Sequence, residues 1–428
     1  MKMAPQFGNI NKATMFRFFA TESLLTKLLS SHRVAILFGS FSGCWNFGDV
    51  AQLLGALRWH SEQRVVDTVC PIASLPSVQD MDRLVNVLGV QEWIFYKYYE
   101  DDSTAPAKLS IAGYTLYRVE DALSSRQSIF HVYGGGFLNR FWGAWQLRLI
   151  EDALGQLKPS MYIVSGQQID PEFSSAVAEH IKAYKPLIFG CRDQESVAAL
   201  SAHDIKAHYS GDDSWEVLSQ WADAVGRGRR RWWPHQRSFG LHLNLSWYTH
   251  QDIPDSPAPS IKAEVLQDLQ DVFAALQEQF GAEACPLVVC AYPDSRLELL
   301  DSFSSVEMTF FTMYFPKFVA LDLMGLLAHN RWALVRPMLD RVKVFIASSY
   351  HTALFFKMLG VPTLLCAFNQ YYQQKAKALG QGPMSVREFL AQDITEYTRQ
   401  QNRHLQGLAE SRRTWLTLLG QVVAKASY

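Results

Sequence analysis

The sequence predicts an α/β protein built from two Rossmann-like domains that face a common cleft. Short apolar runs alternate with amphipathic helices, which is typical of parallel strands joined by helical crossovers. The chain has 428 residues, of which 48% are hydrophobic, and this length exceeds what one hydrophobic core usually serves. A segment rich in glycine and arginine at 227–237 interrupts the alternation, which then restarts.

The first half, residues 1–226, carries the alternation from residue 34 onward. Each predicted strand is an apolar run that ends in a polar or glycine-containing loop. The predicted strands are 34–38, 65–70, 93–96, 128–133, 161–165 and 187–190. The predicted helices are 50–59, 142–157, 195–200 and 214–224. We interpret this half as the N-terminal domain and 227–237 as a linker.

The second half, residues 238–428, repeats the pattern. The predicted strands are 239–245, 286–290 and 344–347, with a further strand after Gly360, Val361 and Pro362. The predicted helices are 261–280, one that starts at 321, and one that precedes Gly360. Residues 394–426 are predicted to form one or two terminal helices of this C-terminal domain.

Composition excludes several classes of function. The formal net charge is −1, so no global field would hold the protein on nucleic acid. Six cysteines are scattered without a CxxC pair, which indicates reduced core thiols and neither a disulfide framework nor a metal site. The N-terminus lacks the pattern of a secretory signal, and no run reaches the roughly 18 apolar residues of a membrane span. We therefore expect a cytoplasmic protein.

The most informative motif surrounds His351. The apolar run 344–347 leads into Ser348 and Ser349, and a turn carrying His351 precedes a helix. Open α/β sheets bind ligands at the carboxyl ends of their strands, and helix N-termini attract anions. Histidine can add a proton or a hydrogen bond near neutral pH. We expect His351 to be catalytic, with a buried structural histidine as the alternative.

The loop after the strand 34–38 contains Asn46 and Asp49. Both residue types cap helices well, and capping alone is one interpretation. The functional interpretation is that Asn46 binds hydroxyls of a sugar acceptor and that Asp49 is a catalytic base that activates a hydroxyl.

Three glycines, Gly134, Gly135 and Gly136, follow the strand 128–133. Their backbone can approach a ligand closely, and their N–H groups can bind an anion. A tight turn without a ligand is the alternative. The spacing is not GxGxxG and no acidic ribose-binding residue is evident, so a nicotinamide dinucleotide site is not expected.

Charged residues follow other predicted strands. Arg192 comes after 187–190, where its guanidinium could bind a carboxylate or phosphate, or pair at the surface with Asp193 or Glu195. Asp212 and Asp213 precede a predicted helix, and capping is the favoured interpretation.

The linker 227–237 also carries charge, because it is rich in arginine and contains Trp232 and Trp233. A solvated linker is favoured, and contact with an anionic glycan or with lipid phosphate at a membrane is the alternative.

In this order and spacing, the blocks resemble the polysaccharide pyruvyl transferase family over about residues 34–365. The resemblance rests on Asn46 to Asp49, Gly134 to Gly136, Ser165 to Gln167, Arg192 with Asp193 and Ser196, Asp212, Ser349 to His351, and Gly360 to Pro362. It implies a two-domain fold of the glycosyltransferase-B type. It also implies transfer of a pyruvyl group from phosphoenolpyruvate to sugar hydroxyls of a surface-glycan precursor, forming a ketal.

The resemblance implies roles for the residues named above. Arg192, Ser349 and Gly134 to Gly136 would bind the anionic donor, and Asn46 the acceptor. His351 would give a proton or a hydrogen bond to the donor. Phosphoenolpyruvate is a co-substrate, and neither a cofactor nor a metal is implied. The partner would be a sugar or a lipid-linked glycan; the oligomeric state is left open.

The chain departs from the family pattern at residue 349. The family's last motif is similar to Arg-x-His, and here Ser349 holds the place of the arginine. Serine cannot clamp an anion as a guanidinium does. Either another cation (Arg192, Arg341, Lys343 or Lys357) replaces it, or the donor differs. A nucleotide-sugar-dependent glycosyltransferase of the same fold and a non-catalytic glycan-assembly protein therefore stay open as alternatives.

Overall fold

The computed structural model describes residues 15–39, 46–100, 104–140, 143–226, 238–243, 250–251, 260–261, 263–291, 311–368 and 370–426. These residues form two α/β units, each built around a sheet whose central strands are parallel. The predicted linker 227–237 lies outside the described residues, as does the loop that contains Cys44. The predicted boundaries of the two domains stay a prediction.

Eleven described strands form the sheet of the first unit. They are β1 (Met15–Thr21), β2 (Arg33–Phe38), β3 (Thr68–Ser74), β4 (Ile94–Tyr99), β5 (Lys108–Ile111), β6 (Tyr114–Arg118), β7 (Gln127–Val132), β8 (Gly135–Leu138), β9 (Met161–Ile169), β10 (Ile188–Cys191) and β11 (His208–Tyr209). Their order is β11-β10-β9-β7-β2-β3-β4-β1-β6-β5, and β8 pairs with β9. The strands from β11 to β4 are parallel, whereas β1, β6 and β5 form an antiparallel extension.

The helices of the first unit connect these strands. They are α1 (Glu22–Ser30), α2 (Phe47–Gln63), α3 (Met81–Leu88), α4 (Glu120–Ser124), α5 (Gly143–Leu157), α6 (Ser174–Tyr184), α7 (Gln194–Ser201) and α8 (Trp215–Gly226), with 3-10 turns at Leu75–Asp80 and Pro171–Phe173. Side-chain oxygens fix several of the helix starts. Asn46 caps α2 and Asp193 caps α7, each accepting a hydrogen bond from the backbone N–H three residues later.

The second unit has a smaller, fully parallel sheet. Its strands are β12 (Ser238–His242), β15 (Leu287–Cys290), β16 (Val319–Asp322), β17 (Val342–Ala347) and β18 (Thr363–Leu365), in the order β16-β15-β12-β17-β18. Two short strands, β13 (His250–Gln251) and β14 (Ser260–Ile261), pair with each other. Its helices are α9 (Ala263–Phe280), α10 (Leu323–Ala328), α11 (Arg336–Leu339), α12 (Tyr350–Met358), α13 (Gln370–Ala378), α14 (Val386–Ala391) and α15 (Ile394–Ala426), with a 3-10 turn at Trp332–Leu334.

Two predicted elements lie elsewhere than expected. The strand expected at 65–70 is β3, which starts at Thr68, because α2 extends to Gln63 and ends at Arg64 in a left-handed conformation. His351, expected in a turn before a helix, lies in the first turn of α12 itself. The terminal segment 394–426 is one continuous helix of 33 residues.

The helix α15 contacts both units. Near its start, the Tyr397 hydroxyl donates to the backbone oxygen of Thr363 in β18 (2.9 Å). Near its end, Trp415, Leu419 and Val423 pack with residues of α2 and of the first sheet. A helix predicted as part of the C-terminal domain therefore also buries apolar surface of the first unit.

An aromatic seam joins the units directly. We define it as Phe47 and Trp221 of the first unit with Trp332 and Phe355 of the second. The Trp221 and Trp332 rings stack with centroids 4.8 Å apart, and Phe47 lies 5.3 Å from Trp221 and 5.5 Å from Phe355. All four residues belong to one continuous apolar cluster. The seam fixes the units against each other through buried apolar area.

The cleft lies where the strand order of each sheet reverses direction. In the first sheet this point falls between β2 and β7, and in the second between β12 and β17. The carboxyl edges of the two sheets meet, because the Phe47 N–H at the start of α2 donates to the oxygen of Ala291 just after β15 (2.8 Å). The predicted α/β class with two Rossmann-like units facing a cleft is confirmed, and the arrangement is of the glycosyltransferase-B type. Such reversal points are where open α/β sheets bind ligands.

Across the described ranges, no helix is both long and apolar enough to cross a membrane. No disulfide joins the described cysteines, of which Cys70, Cys191, Cys290 and Cys366 are buried.

The close contact between α2 and the loop before α8 gives a test of the packing. Gly55 lies in the middle of α2, and a Cβ there would overlap the backbone oxygen of Asp213. We expect Gly55→Ala to lower the free energy of unfolding by about 1–3 kcal/mol, as overpacking does.

Gly407→Ala in α15 is the matched control, because a Cβ there meets no atom within 4 Å. It should raise the free energy of unfolding by about 0.5–1 kcal/mol through helix propensity. Urea titrations measure both. Equal stabilisation by the two substitutions would contradict the packing of α2 described here.

Candidate active site

The carboxylate of Asp212 is the centre of the cleft. Its side chain is 1% exposed. Its Oδ2 atom lies 3.0 Å from Gln52 Nε2, 3.2 Å from His351 Nε2 and 3.4 Å from Arg192 Nη1. Its Oδ1 atom accepts from the backbone N–H (2.9 Å) and the hydroxyl (2.5 Å) of Ser214. Residues of α2, β10 and α12 thus converge on one carboxylate.

These partners keep Asp212 ionised. Burial would raise its pKa, but the charge and hydrogen bond of His351, then Arg192 and the Ser214 hydroxyl, hold that pKa well below the usual range. The expected cap is not formed, since Asp212 accepts from Ser214, which precedes α8, and so closes a turn before that helix. Sequence reasoning missed the role of Asp212 as the buried partner of Arg192 and His351.

His351 bridges the two units. It lies in the first turn of α12, and 13% of its side-chain surface is exposed. Because an ionised carboxylate accepts hydrogen bonds, the Nε2 atom that faces Asp212 carries a proton. The Nδ1 side of the ring lies against Gly48 in α2, where any Cβ would overlap it. Glycine at position 48 therefore allows the start of α2 to meet the imidazole.

Arg192, at the carboxyl end of β10, is 2% exposed. Its guanidinium stacks on the Tyr350 ring at 4.3 Å and donates to the side-chain oxygen of Gln168. Its Nε atom is buried and has no hydrogen-bond partner among the described residues. The alternative of a surface pair is wrong, because Asp193 caps α7 and Glu195 pairs with Lys377 (2.7 Å).

The three glycines do different things. The Gly134 N–H donates to Asp213 Oδ2 (2.7 Å), so a protein carboxylate already binds it. Gly135 and Gly136 begin β8. A Cβ on Gly136 would lie 3.1 Å from the Gln168 oxygen, 3.3 Å from the Tyr371 hydroxyl and 3.6 Å from Arg192 Nη2. Gly136 therefore forms one wall of the space beside Arg192, and anion binding by this loop stays a prediction.

Asp213 holds the glycine loop 134–136 through further hydrogen bonds on the side away from the cleft. Its Oδ2 also accepts from the Ser165 hydroxyl (2.6 Å), and its Oδ1 accepts from Arg412 Nη1 (2.8 Å) of α15. Ser165 in turn lies 2.8 Å from His131 Nε2, and His131 Nδ1 lies 3.0 Å from His60 Nε2.

Both buried histidines are uncharged. Desolvation, with a smaller contribution from Arg412, lowers the pKa of His131 to about 3, and desolvation followed by His131 lowers the pKa of His60 well below its usual value. Ser165 donates to the carboxylate, so it accepts from His131 Nε2–H, and His131 accepts from His60 Nε2–H.

Asn46 and Asp49 stand at the start of α2, beside His351. The Asn46 oxygen accepts from the Asp49 N–H (2.8 Å), and the Asn46 amide donates to the Asp49 carboxylate. The capping interpretation is thus present in the structure. Their roles as acceptor-binding residue and base stay predictions; Gly48, between them in the chain, is the residue that meets the imidazole.

Three cations proposed as replacements for an arginine at 349 are excluded by position. Arg341 and Lys343 lie at the amino end of β17, about 20 Å and about 13 Å along the strand from its carboxyl end. Lys357 is buried near the end of α12, donates to the Leu379 oxygen (3.4 Å), and has its pKa lowered to about 8 by desolvation. Ser349 itself precedes α12 as its N-cap residue without a side-chain capping bond.

Lys375 of α13 approaches the site instead. Its Nζ atom lies 3.9 Å from the centroid of the Tyr371 ring. No local pattern indicates this approach, because α13 is polar and the approach depends on the docking of α13 against the first unit. One contact of that docking is the hydrogen bond from Gln168 Nε2 to Gln374 Oε1 (3.2 Å).

Gln52 was also missed, although a fully buried glutamine between Ala51 and Leu53 is a usable signal once α2 is known to be buried. The tryptophans of the linker 227–237 lie outside the described residues. Within the described ranges, no cluster of three or more His, Cys, Asp or Glu side chains could hold a metal ion.

Comparison with known proteins gives likenesses of overall architecture. No protein-family model and no curated protein matches the chain. A putative UDP-N-acetylglucosamine 2-epimerase from Listeria monocytogenes is 10% identical with a TM-score of 0.48, over 90% of this chain and 91% of that one. The UDP-GlcNAc 2-epimerase from Neisseria meningitidis, bound to UDP-GlcNAc, is 8% identical with a TM-score of 0.42, over 92% and 100%. A wall teichoic acid polymerase is 10% identical with a TM-score of 0.41, over 92% and 89%. At these values the likenesses carry no argument about activity.

Replacing the central carboxylate tests the site. Asp212→Asn leaves Arg192 buried without its compensating charge, and breaking such a pair costs about 3–5 kcal/mol at pH 7. Because the folded pKa of Asp212 is lowered, its stabilisation is present above its unfolded pKa of about 3.9 and is lost as the pH falls further. The deficit of the variant should therefore shrink in acid.

Urea unfolding at pH 7 and at about pH 3, below the unfolded pKa, measures this deficit. Asp204→Asn is the control, because Asp204 is exposed and its left-handed backbone suits asparagine. A deficit that is small at pH 7, or that does not change with pH, would contradict the ionised, paired state of Asp212.

Proposed function

We propose that the protein is a sugar-modifying transferase that binds an anionic donor in the cleft between its two units. The observation that carries the proposal is that Arg192 and His351 meet on Asp212, while Gly136 and the Tyr371 ring that carries Lys375 lie beside the guanidinium. Cationic groups at this place are suited to a phosphate-bearing or carboxylate-bearing substrate. As the specific reaction we propose transfer of a pyruvyl group from phosphoenolpyruvate to a glycan precursor.

Phosphoenolpyruvate fits the chemistry of these residues. A proton is added to its methylene carbon, which makes the neighbouring carbon electrophilic. One sugar hydroxyl attacks that carbon and loses its proton, and the C–O bond to phosphate then breaks. Inorganic phosphate leaves in that step, and the carbon becomes an oxocarbenium ion. A second hydroxyl attacks the same carbon and loses its proton, which completes the ketal. No oxidation occurs.

The pair of Asp212 and His351 supports proton transfer in this scheme. Asp212 fixes the imidazole with its protonated Nε2 toward the carboxylate, so that Nδ1 is the atom on the side of α2. In this arrangement the carboxylate holds the imidazole in one orientation, as general acid–base catalysis requires. His351 would protonate the methylene carbon or bind the leaving phosphate, while Arg192 binds an anionic group of the donor.

The acceptor would enter beside the start of α2. Asn46 and Asp49 are there, within the same part of the cleft as His351. In this proposal Asn46 binds a sugar hydroxyl and Asp49 accepts a hydroxyl proton. The acceptor is a sugar or a lipid-linked glycan, and the second case would bring the protein to a membrane surface.

A nucleotide-sugar-dependent glycosyltransferase is the second candidate. It is favoured by the second sheet, which has its own reversal point between β12 and β17 at the cleft. Such points bind nucleotides in open α/β proteins. The same cations would then bind the diphosphate of the donor.

Heating the purified protein with each donor separates the two candidates. A ligand that binds the folded protein raises the midpoint of thermal unfolding by mass action. We expect phosphoenolpyruvate to raise it, and His351→Ala and Arg192→Ala to reduce the rise. His329→Ala, which changes an exposed histidine, is the control. Stabilisation by UDP alone would favour the glycosyltransferase.

Turnover provides the second measurement. With a panel of sugars as acceptors, phosphate release from phosphoenolpyruvate should depend on the acceptor and fall by about 10²–10⁴-fold in His351→Ala. Phosphate release that needs no acceptor, or that is unchanged in His351→Ala and in Arg192→Ala, would contradict pyruvyl transfer.

A further inference from the structure

A second cation stands opposite Arg192, on the other unit. Lys375 of α13 lies 3.9 Å from the centroid of the Tyr371 ring, and the Tyr371 hydroxyl is 3.3 Å from the position of a Cβ on Gly136. Arg192 Nη2 is 3.6 Å from that same position. The backbone at Gly136, which has no side chain, thus lies between a guanidinium of the first unit and the Tyr371–Lys375 face of the second.

The charge of Lys375 is poorly compensated in the protein alone. No carboxylate of the described residues lies within 4.0 Å of its Nζ atom. The Nζ atom instead makes cation–π contacts with the rings of Tyr371 and Tyr372. Desolvation and then repulsion from Arg192 lower its pKa well below the usual value, against a smaller opposing attraction from Asp49. An aromatic face attracts a cation but does not neutralise it.

Arg192 has a hydrogen-bond donor that lacks an acceptor. Its Nη atoms are bound to Asp212 and Gln168, whereas its Nε donor is buried with no partner in the part of the chain that the structure describes. A buried donor without an acceptor costs free energy, and so do two neighbouring cations. An anionic group between Arg192 and Lys375 would relieve both costs.

We propose that Lys375 forms, with Arg192 and the Gly136 edge, an anion subsite that holds one charged group of the donor. This inference rests on the proposed function, which it deepens: Lys375 replaces, from a different helix, the cation that Ser349 cannot supply. The group bound is a phosphoryl or a carboxylate group, since both offer the anionic oxygens that these donors need.

The two units must be docked for this subsite to exist. The hydrogen bond between Gln168 and Gln374 and the salt bridge between Glu195 and Lys377 hold α13 against the first unit. Lys375 lies between Gln374 and Lys377 on the same helix. Binding at the subsite therefore joins the two units through the ligand.

Calorimetric titration of Lys375→Met tests the proposal with three probes: phosphoenolpyruvate, inorganic phosphate and pyruvate. We expect the affinity for phosphoenolpyruvate to fall about 10- to 100-fold, the range for one lost charge-assisted hydrogen bond. The same loss with phosphate but not pyruvate assigns the subsite to the phosphoryl group, and the reverse assigns it to the carboxylate. Lys343→Met, which changes an exposed lysine at the amino end of β17, is the control and should bind like the wild type.

Two further readouts separate a binding role from a structural one. Without ligand, Lys375→Met should unfold at a higher temperature than the wild type, because it removes a poorly compensated charge. At pH 8, where the phosphate group of the donor is fully ionised, wild-type binding should take up protons as the anion raises the pKa of Lys375. The groups that face this ammonium are Arg192, Asp49, Tyr371 and Tyr372. Lys375→Arg should keep the affinity but lose the proton uptake, because a guanidinium is always charged.

The outcomes distinguish this inference from the proposed function. If the wild type binds phosphoenolpyruvate and Lys375→Met binds it equally well, the inference is overturned and the function stands. If phosphoenolpyruvate does not bind but phosphate or UDP binds in a Lys375-dependent way, the subsite stands and pyruvyl transfer is overturned. Absence of binding by every anion overturns both.

Discussion

A buried negative charge at Asp212 is the constraint on which the cleft depends. A carboxylate removed from water must be paired and hydrogen-bonded, and here Gln52, Ser214, Arg192 and His351 meet that requirement. His351 belongs to the second unit and the other three to the first. The electrostatic requirement of one side chain therefore fixes how the imidazole is oriented and how the units approach. The aromatic seam supplies apolar area for the same contact, and the carboxylate adds a directional requirement to it.

Asp213, the next residue, is also a buried carboxylate, and its partners lie on the side of the loop away from the cleft. Asp213 binds the Gly134 N–H, the Ser165 hydroxyl and Arg412 of α15. Consecutive aspartates thus serve different sides of one loop, since Asp212 faces the cleft and Asp213 faces the interior of the first unit. Because both side chains are buried and fully engaged, the loop between β11 and α8 has little freedom to move. The glycine loop and the imidazole are positioned from the same short segment.

The sequence predicted the parts of the molecule that local pattern determines. Strands buried on both faces are continuous apolar runs, so the parallel strands β2, β7, β10 and β17 lie close to where they were expected. The strands β5 and β6 were missed because their residues are largely exposed or half-buried and carry no apolar run.

At the site, the capping of α2 by Asn46 was visible because it joins residues three apart. The pairing of Asp212 with His351 joins residues 139 apart, and the approach of Lys375 to Arg192 depends on how the units dock. No local pattern encodes either, so the position of His351 could be expected and its partners could not.

The bond between Arg412 and Asp213 has a consequence for the order in which the protein is made. The two residues are separated by 199 positions, and the arginine lies near the end of the chain. During synthesis the whole first unit leaves the ribosome before Arg412 is made. Asp213, which binds the Gly134 N–H of the glycine loop, therefore lacks its arginine partner at that stage. Domains generally fold as they emerge, the N-terminal one first. In this chain, however, the carboxylate behind Gly134 gains its guanidinium only when α15 packs against the first unit. Completion of the glycine loop is therefore coupled to the docking of α15.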